Sequence, residues 1–350
     1  MANLNLLGLE ESGVSYGIEG LKILIYGGNT LGKTPQAMRF PKPLLLMGEA
    51  GGTAIKGYKV PIKQKKDFVD VVKQLTDEKT MEQMKEKFQT IVIDTATDII
   101  EIYANATARE YGVRDVSEMN ADSSLPNGYA LYRTAFKSDI NKLCSCGYTV
   151  IFIMHEELVE IKEQQVVNGK VKAVGTGVFK IIPKGSNSVK DSARFLKDMC
   201  DFRFYIKGNG VDETTGKTIM STAYAHETAE YYAGSRFDIQ PVINPFTAEN
   251  LIEAMKEAQK RSAENYGADL VSFTMDSNGY TKQDYLDCIE PYVTALFELY
   301  PEEVDDIIYK QLGEGVRISE AKESQLVELE TIYNNLVAFA RERNIEVWLN

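Results

Sequence analysis

At 350 residues with 44% hydrophobic content, the chain holds enough apolar mass for two domains, or for one large domain with an appendage, and its composition is that of a soluble globular protein. No apolar run reaches membrane-spanning length, and the start, MANLNLLGLEESG, lacks the basic stretch and cleavage pattern of a secretion signal, so no membrane association and a cytoplasmic location are expected. The net charge of −12 weighs against a uniformly basic nucleic-acid binder.

That charge is unevenly spread. From Ala263 to Asn350 there are 18 acidic and 6 basic residues, a balance of −12, while the first 262 residues carry 33 of each sign and are neutral. The step marks a candidate domain boundary. The four cysteines, Cys144, Cys146, Cys200 and Cys288, are too few and too scattered for a disulfide framework. With only His155 and His226 to complete a ligand set, they read as structural thiols rather than a zinc site.

Leu21 to Tyr26 is the first core strand, apolar without interruption as a strand covered on both faces should be. It runs into Gly27-Gly28-Asn29-Thr30-Leu31-Gly32-Lys33-Thr34, which has the Walker A spacing. The glycines permit backbone angles that aim N–H groups at phosphate; Lys33 is placed to reach the β and γ phosphates and Thr34 to ligate Mg²⁺. Pro35 suits the first turn of a helix, whose N-terminus would face the phosphates. The competing reading is an ordinary glycine turn that carries a lysine.

Pro41 and Pro43 stop that helix. A second apolar run, Leu44 to Met47, then ends among glycines at Glu49. Gln64 to Phe88 predicts helices over the sheet. Thr90-Ile91-Val92-Ile93-Asp94-Thr95 has the Walker B form, a buried strand delivering Asp94 to the Mg²⁺ shell; the alternative is a strand-end carboxylate capping the next helix. Asp98, one turn on, reads as a cap or supporting group. Helices are predicted over Asp98–Tyr111 and Tyr129–Cys144, and a further buried strand over Tyr148–Met154, ending at His155. A polar side chain there is placed to sense a γ phosphate, or is a hydrogen-bonded structural histidine.

Beyond His155 come turns at Asn168-Gly169 and Gly175-Thr176-Gly177, with strand-like pieces around Val166 and Phe179. Between Gln164 and Lys190 lie Lys170, Lys172, Lys180, Lys184 and Lys190 and no acidic residue. Lysines along a hairpin suit contact with a phosphate backbone; on this stretch alone, ordinary surface lysines are the simpler reading. Ser188–Met199 predicts a helix, and Cys200–Lys207 and Thr218–His226 two strands joined by a glycine-rich turn. Arg236, just past them, is placed either to reach a neighbouring subunit's nucleotide or to pair with a surface carboxylate. Phe246 to Ser262 is a helical pattern. The acidic remainder is mostly helical, with stripes at Leu286, Ile289, Val293, Leu296, Phe297 and at Leu326, Leu329, Tyr333, Leu336, Val337, Ala340 that read as packing faces.

In this order the motifs resemble RecA-like ATPases, and most closely the RecA-like nucleotide-binding proteins of bacteriophages, a group that includes single-strand-annealing recombinases. The resemblance covers about residues 15 to 245. It implies an α/β fold, a RecA-like P-loop NTPase core (1–245) with a mainly parallel central sheet flanked by helices, followed by an acidic, mainly helical C-terminal module (246–350). It further implies ATP and Mg²⁺ as cofactors, Glu49 as the base that orients the attacking water, His155 as the switch residue, and Arg236 as a residue acting across a subunit interface. The lysine-rich hairpin, with Lys170, Lys172, Lys180 and Lys184, falls at the family's second DNA-binding loop. The resemblance implies an ATPase that forms a ring or filament on single-stranded DNA in recombination or annealing, in the host cytoplasm if phage-encoded.

The alternative is an oligomeric motor or loader, helicase-like or packaging-like, driven by a protein partner bound through the C-terminal helices. A GTPase reading finds its base-reading letters only in Thr281-Lys282-Gln283-Asp284, inside the helical tail, and is discounted. The charge step near Ala263 also suggests that the acidic module shields the basic hairpin until DNA or a partner displaces it.

Overall fold

The computed structural model describes residues 11–49, 55–77, 79–121, 124–167, 170–185, 192–273, 282–322, 325–343, 345 and 347. The chain divides into two compact units, one of Gly13–Leu75 and Met81–Phe273, the other of Thr274–Asn350 with Met1–Ser12 and Thr76–Thr80.

The first unit opens with β1 (Val14–Tyr16), β2 (Lys22–Gly27), α1 (Lys33–Ala37), β3 (Pro43–Met47) and β4 (Tyr58–Pro61). It continues through α2 (Lys65–Leu75), α3 (Met81–Lys87), β5 (Thr90–Asp94), α4 (Ala96–Glu110), α5 (Val116–Ala121) and α6 (Gly128–Ser145). The long hairpin β6 (Thr149–Val167) and β7 (Lys170–Pro183) follows, then α7 (Ser192–Met199), β8 (Phe202–Lys207) and β9 (Thr222–Tyr224). The unit closes with β10 (Gly234–Ser235), β11 (Val242–Ile243), α8 (Ala248–Tyr266) and β12 (Leu270–Ser272).

The main sheet runs β11-β9-β8-β2-β6-β5-β3-β4, with β7 on β6 and β10 on β8; β1 and β12 form a separate parallel pair. From β8 to β4 all neighbours are parallel, and β9, β10, β11 and β7 add antiparallel edges. Period-two alternation divides each strand between two cores. Leu24 and Tyr26 face a core shared with helices α2, α4 and α6, while Ile23 and Ile25 face one shared with α8. Because helices cover both faces, the central strands carry no polar side, which is why they read as continuous apolar runs.

Register aligns the strand ends. Gly27 stands opposite both His155 and Ile206, and Asp94 opposite both Met47 and Ile153. The loops that leave β2, β3, β5 and the core part of β6 therefore share one edge of the sheet. This edge carries the chemistry.

Several expectations are corrected here. The boundary at 245/246 moves past α8, because Phe246, Leu251, Met255 and Ala258 are buried in the core against the sheet; Thr247 caps that helix by accepting from Asn250 N, and Gly267 ends it in the left-handed conformation. The pieces around Val166 and Phe179 are one continuous hairpin paired from Glu156 to Val167, with a register shift between Glu160 and Lys162. Helix α5 and edge strand β4 were not read from the sequence. Of the predicted helix from Ser188, the part from Ser192 is helical, and Ser188, Lys190 and the Asn168-Gly169 turn lie outside the described residues.

The second unit has α9 (Lys282–Phe297), α10 (Pro301–Leu312), a 3-10 turn (Ile318–Glu320) and α11 (Leu326–Glu342). It has its own core, with Ile289, Leu296, Val304, Ile308, Leu329 and Leu336 buried, so the apolar stripes are packing faces, although Phe297 is 44% exposed. Lys282, Gln283 and Asp284 fall within α9, and Thr281 lies outside the described residues. Among the described residues no helix is long and apolar enough to cross a membrane.

Candidate functional site: a phosphate-binding loop at the sheet edge

The turn leaving β2 needs glycine at two points. At Gly27 (φ +156°) a β-carbon would sit 2.4 Å from the Ile206 carbonyl oxygen of the neighbouring strand, and Gly32 has φ +83°. Both conformations exclude ordinary side chains without strain. Thr30, also left-handed at φ 62°, is a strained non-glycine residue at the loop's tip.

Lys33 is 6% exposed. Its ammonium donates to the carbonyls of Gly27 (2.8 Å) and Gly28 (2.5 Å). Burial lowers its pKa, while Asp94 and Glu156 hold the charged form in place. The Thr34 hydroxyl donates to Asp94 Oδ2 at 2.6 Å. Burial raises the Asp94 carboxyl above its ordinary range, opposed by the Thr34 hydrogen bond and by Lys33 and His155. The capping alternative for Asp94 does not hold, since Thr95 is the N-cap of α4 and accepts from Asp98 N. Asp98 in turn accepts from the Thr95 hydroxyl, which makes it a support for that cap.

These groups line one cavity of about 590 Å³, together with Asn29, Glu49 and His155. His155 Nε2 lies 3.9 Å from Glu49 Oε1, and its Nδ1 is buried with no hydrogen-bond partner among the described residues. Glu49 remains 53% exposed. An orphaned ring nitrogen, a cationic amine engaged only with backbone carbonyls and a glycine cradle fit a polyphosphate. Thr34 and Asp94, hard oxygen donors, fit Mg²⁺, which takes one or two protein oxygens and fills its shell with phosphate and water. Among the described residues no cluster of three His, Cys, Asp or Glu side chains forms a closed metal cage. When bound, the metal would offset negative charge on the phosphates. Lys33 would do the same from the loop side, and Glu49 and His155 stand on the wall of the same cavity.

The other expected residues stand apart. Arg236 pairs with Asp201 (Nη1 to Oδ1, 3.0 Å) and donates to the Asp198 carbonyl. Asp201 also accepts from Lys22 N at the start of β2, five residues from Gly27, or roughly 16 Å along the strand. Arg236 thus sits at the end of the sheet away from its own loop. Lys180 is bound to Glu227, and Lys184 is exposed, its backbone N–H donating to the His155 carbonyl. Lys172 is exposed on β7; Lys170 begins that strand, and its side chain lies outside the described residues. The partner strand β6 carries Glu157, Glu160 and Glu163, so the hairpin pairs a basic strand with an acidic one.

Two groups near the loop escaped sequence reasoning. Glu156 follows His155 and so points to the opposite face of the sheet, and the Tyr205 hydroxyl on β8 is hydrogen-bonded to it. The signal was the alternation of β6 itself, which sends consecutive residues to opposite sides.

A glycine-rich loop between a buried parallel strand and a helix, facing a strand-end aspartate, defines a P-loop nucleoside-triphosphate-binding protein. The family model described as "AAA domain" matches residues 19–237, and the chain belongs to this family of P-loop ATPases. It is also similar to the SPbeta prophage-derived uncharacterized protein YorG of Bacillus subtilis (strain 168), at 34% identity over 338 residues, 93% of this chain and 96% of that protein.

Proposed function

We propose that the protein is a Mg²⁺-dependent ATPase of RecA-like organisation that assembles into a ring or filament and acts on single-stranded DNA in phage-type recombination or strand annealing. Lys33 and the loop from Gly27 to Thr34 hold the phosphates, Thr34 and Asp94 the metal, and Glu49 the attacking water. Arg236 acts on a neighbouring subunit's nucleotide.

The observation that carries this reading is the continuity of β6. The strand that brings His155 to the nucleotide cavity continues unbroken into the exposed hairpin, and the Lys184 N–H ties the returning strand to the His155 carbonyl at 2.8 Å. A contact made on the hairpin is thereby connected to the phosphate site through one strand pairing, interrupted by the register shift between Glu160 and Lys162. Similarity to a prophage-derived protein supports the phage context.

A second reading, a motor or loader driven by a protein partner, is favoured by apolar exposure on the same hairpin, where Leu158 is 64%, Val178 50% and Phe179 53% exposed. One experiment separates them. Hydrolysis is measured with and without single-stranded DNA across protein concentration, beside Lys33→Ala and Glu49→Gln. Stimulation by DNA that rises steeply with concentration is expected; hydrolysis indifferent to DNA moves the assignment to the partner-driven motor.

A further inference from the structure

Glu156 is the first residue of the β6–β7 pairing and lies behind the phosphate loop, on the face of the sheet away from the cavity. A β-carbon at Gly28 would be 3.4 Å from Glu156 Oε1, so the carboxylate rests against the loop's second residue. Its charge acts on Lys33. It is held by the Tyr205 hydroxyl, whose pKa is pushed to about 12 by burial first and then by this carboxylate, so the phenol keeps its proton. Tyr205 in turn stacks on Tyr231, with ring centroids 4.9 Å apart, and Tyr231 belongs to the segment hydrogen-bonded to Ile181 of β7.

We infer that Glu156 is a positioning residue that sets how tightly the loop holds phosphate, acting through Lys33 from behind the loop and held there by Tyr205. The inference rests on the loop being a nucleotide site. Two carboxylates face Lys33. Asp94 lies on the cavity side, where a metal ion would offset its charge; Glu156 lies on the other side, where nothing in the proposed site does. Its negative charge favours the charged form of Lys33 and opposes phosphates brought to the loop. The carboxylate therefore weakens the hold of the loop on phosphate and favours nucleotide release. Because Glu156 opens the hairpin pairing and Tyr205 stacks on the segment bonded to β7, displacement of the hairpin root would move this charge.

The test is calorimetric titration of the full-length chain with ATP and with ADP, each with Mg²⁺. Glu156→Gln is expected to bind ATP about three- to tenfold tighter, as suits one partly screened unit charge, with a smaller gain for ADP. Glu156→Asp, which keeps the charge, should stay close to wild type. Tyr205→Phe should fall between, and the double variant should bind no tighter than Glu156→Gln alone. Structural damage would weaken binding, so the sign separates the two explanations. Unchanged or weaker ATP binding by Glu156→Gln, or a gain reproduced by Glu156→Asp, overturns the inference while leaving the nucleotide site standing. Failure of the wild-type chain to bind ATP overturns both.

Discussion

The hydroxyl of Thr34 donates to Asp94 Oδ2 at 2.6 Å, across 60 residues of sequence. One residue closes the phosphate loop and the other ends the strand two places away in the sheet, so the pair fixes the loop against β5. Thr34 Oγ1 and Asp94 Oδ2 are the two oxygens that would hold a Mg²⁺ ion here. Thr34→Val removes the donor and leaves Asp94 buried beside an apolar neighbour. It should lower Mg²⁺-dependent hydrolysis by about 10²-fold, as removal of one charge-stabilising group does, with Mg²⁺ titration showing the weaker apparent affinity.

Lys33→Ala should abolish measurable ATP binding while preserving the fold. Among the described residues the ammonium donates to the backbone carbonyls of Gly27, at the end of β2, and Gly28, so its removal breaks local hydrogen bonds within the turn and leaves the sheet ladder intact. Equilibrium dialysis with labelled ATP, beside a circular dichroism spectrum, checks both halves.

Glu49→Gln should reduce kcat by about 10²- to 10⁴-fold, the range for loss of a general base, with nucleotide affinity nearly unchanged because Glu49, which lines the cavity, is 53% exposed. Retention of wild-type kcat would remove Glu49 from the chemistry and leave His155 to be tested next.

Asp94 also makes a pH prediction. Burial raises its folded pKa above the ordinary 3.8, so the folded chain holds the proton more tightly than the unfolded one. Ionising the group then costs stability. The cost is absent below the unfolded value, grows as pH rises from that value to the folded one, and is complete above it. Lys33, lowered by burial, adds a cost of the same kind at all pH values below its folded pKa. Asp94→Asn should therefore melt higher than wild type at pH 7, with the gain shrinking toward pH 4, while its hydrolysis is lost. Equal melting temperatures across that range would show that the desolvation of Asp94 is compensated.

On the hairpin, Lys172→Ala and Lys184→Ala should weaken binding to single-stranded DNA and lower the slope of log K against log salt by about 0.7 for each phosphate that is no longer neutralised. Lys180→Ala should do less, since that ammonium is already engaged by Glu227. Fluorescence anisotropy over a salt series gives both quantities.

The phosphate loop and the Asp94 strand were legible because their chemistry needs particular residue types at fixed spacing along one segment. The covered sheet was legible for a related reason: strands buried on both faces leave unbroken apolar runs at Leu21–Tyr26, Ile91–Ile93 and Tyr148–Met154. What stayed hidden depends on pairing between segments. The stripe on Phe246–Ser262 announces a helix but not the surface it covers, so α8 was assigned to the wrong unit. The lysines after Gln164 carry no sign of what lies beside them; pairing sets β7, with Lys170, Lys172 and Lys180, against the glutamate-bearing β6. Tyr205 and Glu156 meet only because β8 and β6 both flank β2, a neighbourhood that no local pattern records.

Strand β6 serves two masters with different tolerance for change in length. Within Val150–Met154 its alternation assigns each side chain to a core, and one inserted residue would exchange the sides on which His155 and Glu156 emerge, emptying the cavity wall and placing a carboxylate within it. Past the start of the pairing with β7, extra residues added to both strands would only carry the hairpin farther from the sheet. The lineage of this fold is thus free to vary its reach outward by whole residue pairs while its inner half is held to a fixed count, and differences in length between relatives should gather at the far end of the hairpin.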